Sequence, residues 1–137
     1  MPSVREFMTP DPVCIGTEET LQKAAETMRS NGVGALPICG KDGKLKGMLT
    51  DRDIVVRGVG DGKPLDTVTG QLTQAEAVTI GADDPVEDLL STMVQHGVKR
   101  LPVIDGERLV GIVAMADAAR ALPNPTAGEL VDALGVE

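Results

Sequence analysis

Apolar positions along the chain change period in a fixed order, and that order occurs twice. Val13-Cys14-Ile15 and Val78-Thr79-Ile80 are short β-rich runs. Each leads into apolar residues at helical spacing, Leu21, Ala24, Ala25 and Met28 in one stretch, Val86, Leu89, Leu90 and Met93 in the other. Acidic pairs (Glu18-Glu19; Asp83-Asp84) suit the positive starts of these helices, and Gly32 and Gly97 suit their C-terminal caps. Two hairpins are predicted next, Ala35–Cys39 with Leu45–Leu49 and Leu101–Ile104 with Leu109–Val113, closed by Gly- and Asp-rich turns. A final helix is predicted from near Thr50 to Gly58, its counterpart from about Ala114 to Leu122. Upstream, Ser3-x-x-Glu6 has capping-box spacing, and Thr67 stands at the equivalent place, so each copy is predicted to open on a short capped helix.

The two series are a duplication. Residues 12–39 align without a gap on 77–104 with nine identities in 28 positions, Gly32/Gly97, Leu36/Leu101 and Pro37/Pro102 among them. After a one-residue deletion Leu45/Leu109, Gly47/Gly111 and Asp53/Asp117 continue the match. Repeats are therefore assigned to 1–60 and 67–123, with a Gly-rich linker at 61–66 and a tail at 124–137 whose Thr126-x-x-Glu129 spacing predicts a closing helix. One β-α-β-β-α copy is small for independent stability. The expected architecture is thus α/β (α+β), two such copies packed sheet to sheet about a pseudo-two-fold axis.

Composition narrows the function. Thirteen Lys and Arg face 21 Asp and Glu, a net charge of −8, and Phe7 is the sole aromatic. Nucleic-acid binding depends on cationic contacts to phosphate and on aromatic platforms for bases, so nucleic acid is an unpromising partner. No apolar run approaches the ~20 residues of a membrane span, and the first residues lack the apolar stretch of a signal peptide, so a cytoplasmic location without membrane contact is expected. Two cysteines and one histidine are too few for a usual four-ligand zinc site. Gly58-x-Gly60-x-Gly62-Lys63 fails the phosphate-loop spacing, and no nucleophile elbow occurs. A binding module, not an enzyme, is expected.

The ordered combination Gly32-Val33-Gly34-Ala35-Leu36-Pro37-Ile38 … Gly47-Met48-Leu49-Thr50-Asp51-Arg52-Asp53-Ile54, with Gly97–Val103 and Gly111–Asp117 as its second occurrence, resembles a CBS (cystathionine β-synthase) domain. With Met8-Thr9-Pro10 ahead of it, the chain resembles a stand-alone CBS pair. That resemblance implies a regulatory module that takes an adenosine-containing ligand, AMP or ATP, in a cleft between repeats and assembles as a homodimer. No cofactor is required by it. A ligand-free structural or stress-response dimer acting through protein contacts is the alternative.

Within that resemblance the binding residues are Thr50, Asp53, Asp117, Lys99, Arg100, Ile38 and Met48. Thr50 offers a hydroxyl to phosphate or ribose at a helix start, and Asp53 offers two acceptor oxygens to ribose hydroxyls. Thr50-x-x-Asp53 also has the spacing of a capping box, whose only task is to start a helix. Ile38 and Met48 could enclose a purine or belong to the core. The second copy departs from the pattern: Ala114 replaces the hydroxyl residue while Asp117 remains, and Lys99-Arg100 replaces Gly34-Ala35. Lys99 and Arg100 could face phosphates or be a solvated pair. Arg52 is a weaker candidate for that role. Ile54, Val55, Ala118, Ala119 and Leu122 are candidates for the dimer interface. Finally, Cys14 and Cys39 flank the first long helix on strands that a β-α-β unit can lay side by side. They are small buried hydrophobes or a bridge closing a loop of about 25 residues, stabilising by roughly 3 kcal/mol on the chain-entropy model.

Overall fold

A computed structural model describes residues 2–72 and 77–121. Its elements are strands β1 (Thr9–Pro10), β2 (Ile15–Gly16), β3 (Ala35–Cys39), β4 (Leu45–Thr50), β5 (Ile80–Gly81), β6 (Arg100–Asp105) and β7 (Arg108–Ala114), with helices α1 (Leu21–Asn31), α2 (Asp51–Asp53), α3 (Asp88–His96) and α4 (Met115–Ala121). The chain divides into two compact units. The closing helix expected in the tail, and Leu122, lie outside the described residues.

The unit formed by residues 13–77 carries a three-stranded sheet ordered β2-β3-β4. β2 runs parallel to β3, with Ile15 opposite Ile38 and Gly16 opposite Cys39, and the right-handed crossover expected for such a pair is supplied by α1. β3 and β4 form the antiparallel hairpin. The Thr20 hydroxyl caps α1 by accepting from the Lys23 N–H at 3.1 Å, and Gly32 ends the helix in the left-handed region at φ 62°. Leu21, Ala24 and Met28 point into a core with Ile15, Leu36, Ile38, Leu49, Ile54 and Leu72. Ala25, expected on that face, is exposed, because the buried stripe is narrower than the run of apolar residues.

The helix after β4 departs from expectation. Asp51–Asp53 make one α-helical turn, and Ile54–Val59 then widen into a π-helical turn. The Gly60 N–H donates to the Val55 carbonyl at 2.7 Å, the i to i+5 pairing of that geometry. The residues there favour a regular α-helix little: Val55, Val56 and Val59 are β-branched, and Gly58 and Gly60 are poor α-helix residues. A Cβ on Gly60 would stand 2.5 Å from the Val56 carbonyl oxygen.

The other unit joins residues 1–12 to 78–137 and holds a four-stranded sheet ordered β1-β7-β6-β5. β5 is parallel to β6, β6 and β7 form the hairpin, and β1 pairs antiparallel with β7, Thr9 opposite Ile112. β1 is an edge strand, where Pro10 costs no ladder bond. At Gly111 a Cβ would stand 3.0 Å from the Thr9 carbonyl oxygen and displace the Met8 thioether, so glycine eases the close approach of the N-terminal segment. Val4, fully buried, joins Ile80, Val86, Leu89, Met93, Leu101, Val103, Val113 and Ala118 in the core. Arg5 pairs with Asp105 at 3.1 Å and Asp83 at 3.4 Å; these two carboxylates, the Asp105 hydrogen bond foremost, raise its pKa further.

Repeats and packing units therefore do not coincide. The segment opening the first repeat packs in the unit of the second, where the Val4 and Arg5 N–H groups donate to the Asp84 and Ala82 carbonyls. The segment opening the second repeat packs in the unit of the first. There the Thr67 and Leu65 carbonyls accept from the Leu21 and Gln22 N–H groups, satisfying two orphan donors of the α1 terminus. The Thr69 hydroxyl, fully buried, donates to the Gly16 carbonyl at 2.9 Å, and Leu72 fills the core.

The opening helices are three-residue 3-10 turns, Val4–Glu6 and Thr69–Gln71. Glu6 accepts from the Ser3 N–H at 2.6 Å, as the capping-box spacing predicts. Thr67 does not play the matching part: the second turn starts after Val68, and the Thr67 hydroxyl donates to the Pro64 carbonyl at 2.7 Å.

Candidate functional site

The end of the hairpin and the start of the helix that follows bring together the residues of the Gly-x-x-Thr-x-x-Asp motif. Thr50 ends β4 in extended backbone and caps α2. Its N–H donates to Asp53 Oδ2 at 2.9 Å, its hydroxyl donates to the same oxygen at 2.9 Å, and the Asp53 N–H donates to Thr50 Oγ1 at 3.1 Å. The capping box is thus closed in both directions. Asp53 Oδ1 is left facing Arg57 across a loose 3.8 Å, on a side chain that is 21% exposed.

The second copy repeats half of this. The Ala114 N–H donates to Asp117 Oδ2 at 2.8 Å, but no hydroxyl stands beside it. Asp117 Oδ1 is held by Arg120 in a close ion pair, and the carboxylate is 13% exposed. Both motif aspartates therefore spend one oxygen on the backbone and turn the other to an arginine. Arg57 and Arg120 went unread in the sequence, although Asp-x-x-x-Arg and Asp-x-x-Arg are helical-neighbour spacings that could have pointed to them.

The residues before the hairpin differ in a matching way. In the first copy the Asp51 N–H donates to the Gly34 carbonyl at 2.9 Å, and a Cβ on Gly34 would lie 2.9 Å from Asp51 Oδ2. The same backbone bond links the Met115 N–H to the Lys99 carbonyl at 3.0 Å. Lys99, half-buried, thus occupies the place where the Asp51 carboxylate stands against Gly34 in the first copy. Arg100 is exposed and stands directly opposite Ala114, where Ala35 stands opposite Thr50. The motif end of one unit bears a hydroxyl and balanced charges; that of the other lacks the hydroxyl and is basic.

Ile38 is 1% exposed in the core of its unit, so its side chain is committed to packing. Met48 is half-buried on β4, opposite Pro37. Arg52 is exposed. Of the dimer candidates, Ile54 and Ala118 are buried within their own units, which removes them from any outer surface, whereas Val55 is exposed. Cys14 and Cys39 do meet: their sulfurs lie 2.6 Å apart, both as thiols. Burial, and then the hydrogen bond to Cys14, push the Cys39 thiol up to about 12.

The CBS domain family profile matches residues 4–60 and 68–124. The chain belongs to the CBS domain family. As a CBS pair it is 44% identical over 135 residues to hypoxic response protein 1 of Mycobacterium tuberculosis, covering 98% of this chain and 94% of that one. The crystal structure of hypoxic response protein I with two coordinated zinc ions superposes with a TM-score of 0.81 at 46% identity, covering 89% of the CBS pair and 100% of that chain. Two more distant structures share the fold with TM-scores of 0.78. One, 23% identical over 88% of this chain and 96% of its own, is CBSX2 in complex with AMP. The other, 24% identical over 88% and 94%, is the CBS domain pair of protein MJ0100 in complex with 5′-methylthioadenosine and S-adenosyl-L-methionine. Among the described residues of the CBS pair no three His, Cys, Asp or Glu side chains gather as metal ligands, and no helix is long and apolar enough to cross a membrane.

Proposed function

We propose that this CBS pair is a cytoplasmic regulatory module that binds an adenosine-containing ligand of the AMP or ATP class at the Thr50–Asp53 turn and signals as a homodimer, acting by binding and not by catalysis. One observation carries the reading. Asp53 gives Oδ2 wholly to the cap and keeps Oδ1 only loosely faced by Arg57, on a side chain that is 21% exposed. A carboxylate held rigidly by its own cap, with its second oxygen only loosely paired, is preorganised for the paired hydroxyls of a ribose. Asp117 lacks that freedom, because Arg120 closes its second oxygen. The AMP complex of a CBS neighbour supports the ligand class.

Calorimetric titration of AMP, ADP, ATP and S-adenosylmethionine into the full chain tests the reading, alongside a thermal-shift screen. Binding at a hundred times Kd stabilises by about 2.7 kcal/mol, which such a screen resolves. At least one of the four is expected to bind, and to lose most affinity on Asp53→Ala and less on Asp117→Ala. If none shifts the melt or gives heat, the ligand-free structural dimer replaces this reading. Light scattering at the mass of one chain would remove the homodimer.

A further inference from the structure

The two cysteines belong to one repeat only. The second copy builds the same β-α-β turn with Thr79 and Ile104 at these places, so the fold does not need the thiols. In the first copy β2 runs parallel to β3 with Gly16 opposite Cys39, residue 14 lies two positions before Gly16, and the sulfurs stand 2.6 Å apart. The hairpin register shifts between Ile38 and Cys39, and Cys39 then pairs with Leu45 on β4. The two thiols are unequally placed: Cys14 is exposed and Cys39 half-buried, with the Cys39 S–H donating to Cys14 Sγ.

We propose that Cys14 and Cys39 form a two-electron thiol–disulfide site whose substrate is the disulfide of a small thiol, with Cys14 as the attacking and Cys39 as the resolving residue. The Cys14 thiolate attacks one sulfur of the small disulfide, an S–S bond forms between them, and the other half departs as a thiolate. Cys39 then attacks Cys14 Sγ, passes its proton to the departing thiolate, and releases the second half as a thiol. The protein dithiol is oxidised by two electrons and one small disulfide is reduced to two thiols. Cys39 stays protonated until that second step, in keeping with a thiol pushed up to about 12 by burial and by its bond to Cys14, so the exposed partner starts the exchange. This inference is independent of the nucleotide reading and leaves Thr50 and Asp53 unused.

The test exposes the full chain to oxidised glutathione, quenches with iodoacetamide and measures intact mass. The native chain is expected to lose two hydrogens, accept no alkyl group and melt roughly 10 °C higher than when reduced. Cys39→Ser should accumulate one glutathione adduct, and Cys14→Ser at least tenfold less over the same time. Two alkylated thiols in the native chain at excess oxidised glutathione would overturn the site, as would a disulfide-linked dimer on a non-reducing gel. Equal adducts on the two variants, with both folded by circular dichroism, would overturn the assigned roles. The native-chain mass decides the bridge itself even if a variant fails to fold.

Discussion

The helix starts after β4 and β7 descend from one ancestral turn and now differ by one hydroxyl and by how closely an arginine approaches the motif aspartate. After β4 the cap is double, Thr50 and Asp53 each bonding to the other and to backbone. After β7 the Asp117 carboxylate caps alone, and Arg120 takes the oxygen that Asp53 leaves only loosely paired. The comparison separates two jobs that the motif combines. Helix initiation survives in both copies because a carboxylate at the third helical position suffices for it. The capacity to present a fixed acceptor to a ligand is kept only where the arginine stands off.

The largest expected effect lies in the exchanged segments, each of which completes the core of the unit it belongs to. Leu72 is fully buried in one unit while its repeat counterpart Met8 is half-buried in the other. Leu72→Ala should cost about 2–5 kcal/mol by chemical denaturation, and Met8→Ala clearly less. Equal losses would mean that the two segments anchor alike. Next in size, Asp117→Ala removes the side-chain acceptor of the Ala114 N–H and should destabilise by about 1–2 kcal/mol, with little change in nucleotide affinity. A large affinity loss would make the second turn the binding site.

Thr50→Ala converts the first turn to the second and should cost about 1 kcal/mol, whereas Ala114→Thr should return a few tenths to 1 kcal/mol to the other unit. If Ala114→Thr also confers a second nucleotide equivalent, Arg120 does not close that site. The smallest effect is expected in the β3–β4 turn. Asp42 is held below its ordinary value of 3.8, chiefly by accepting from the Lys44 N–H at 3.0 Å. A depressed folded value means that its contribution is complete above the ordinary carboxylate value and fades as pH falls through the folded one. Asp42→Asn should therefore lower the melting temperature slightly at neutral pH and not at all in strong acid.

Much of this was legible in the sequence. Gly32 and Gly97 adopt the left-handed caps that their place after amphipathic runs predicts, at φ 62° and 64°. Both hairpins fall within a residue or two of their predicted bounds, because short apolar runs bounded by turn residues are local signals. The capping reading of Thr50 and Asp53 was also visible from spacing. What escaped was non-local. Nothing in Ser3–Thr9 or Thr67–Leu72 says which copy's core they enter, since duplicated sequences offer each segment two similar destinations. Ile54 and Ala118 read as surface candidates because a short helix next to glycine or alanine has no clear apolar stripe, yet packing buries both. The π-helical turn escaped because β-branched residues and glycines weaken a helix without specifying its wider form.

The exchanged segments also set a timetable for synthesis. Residues 13–77 are contiguous, so that unit can close as soon as the segment through Leu72 has left the ribosome. Its sister cannot: Thr9 waits for Ile112 and Val4 for Asp84, while an entire unit is translated in between. At about 5–20 residues per second that wait lasts several seconds, long compared with the folding of a small domain. During it the nascent N-terminus carries Val4, Phe7 and Met8 without their core, and the later-forming sheet has the higher contact order. The second half of the duplication is therefore where slow folding and chaperone dependence should concentrate.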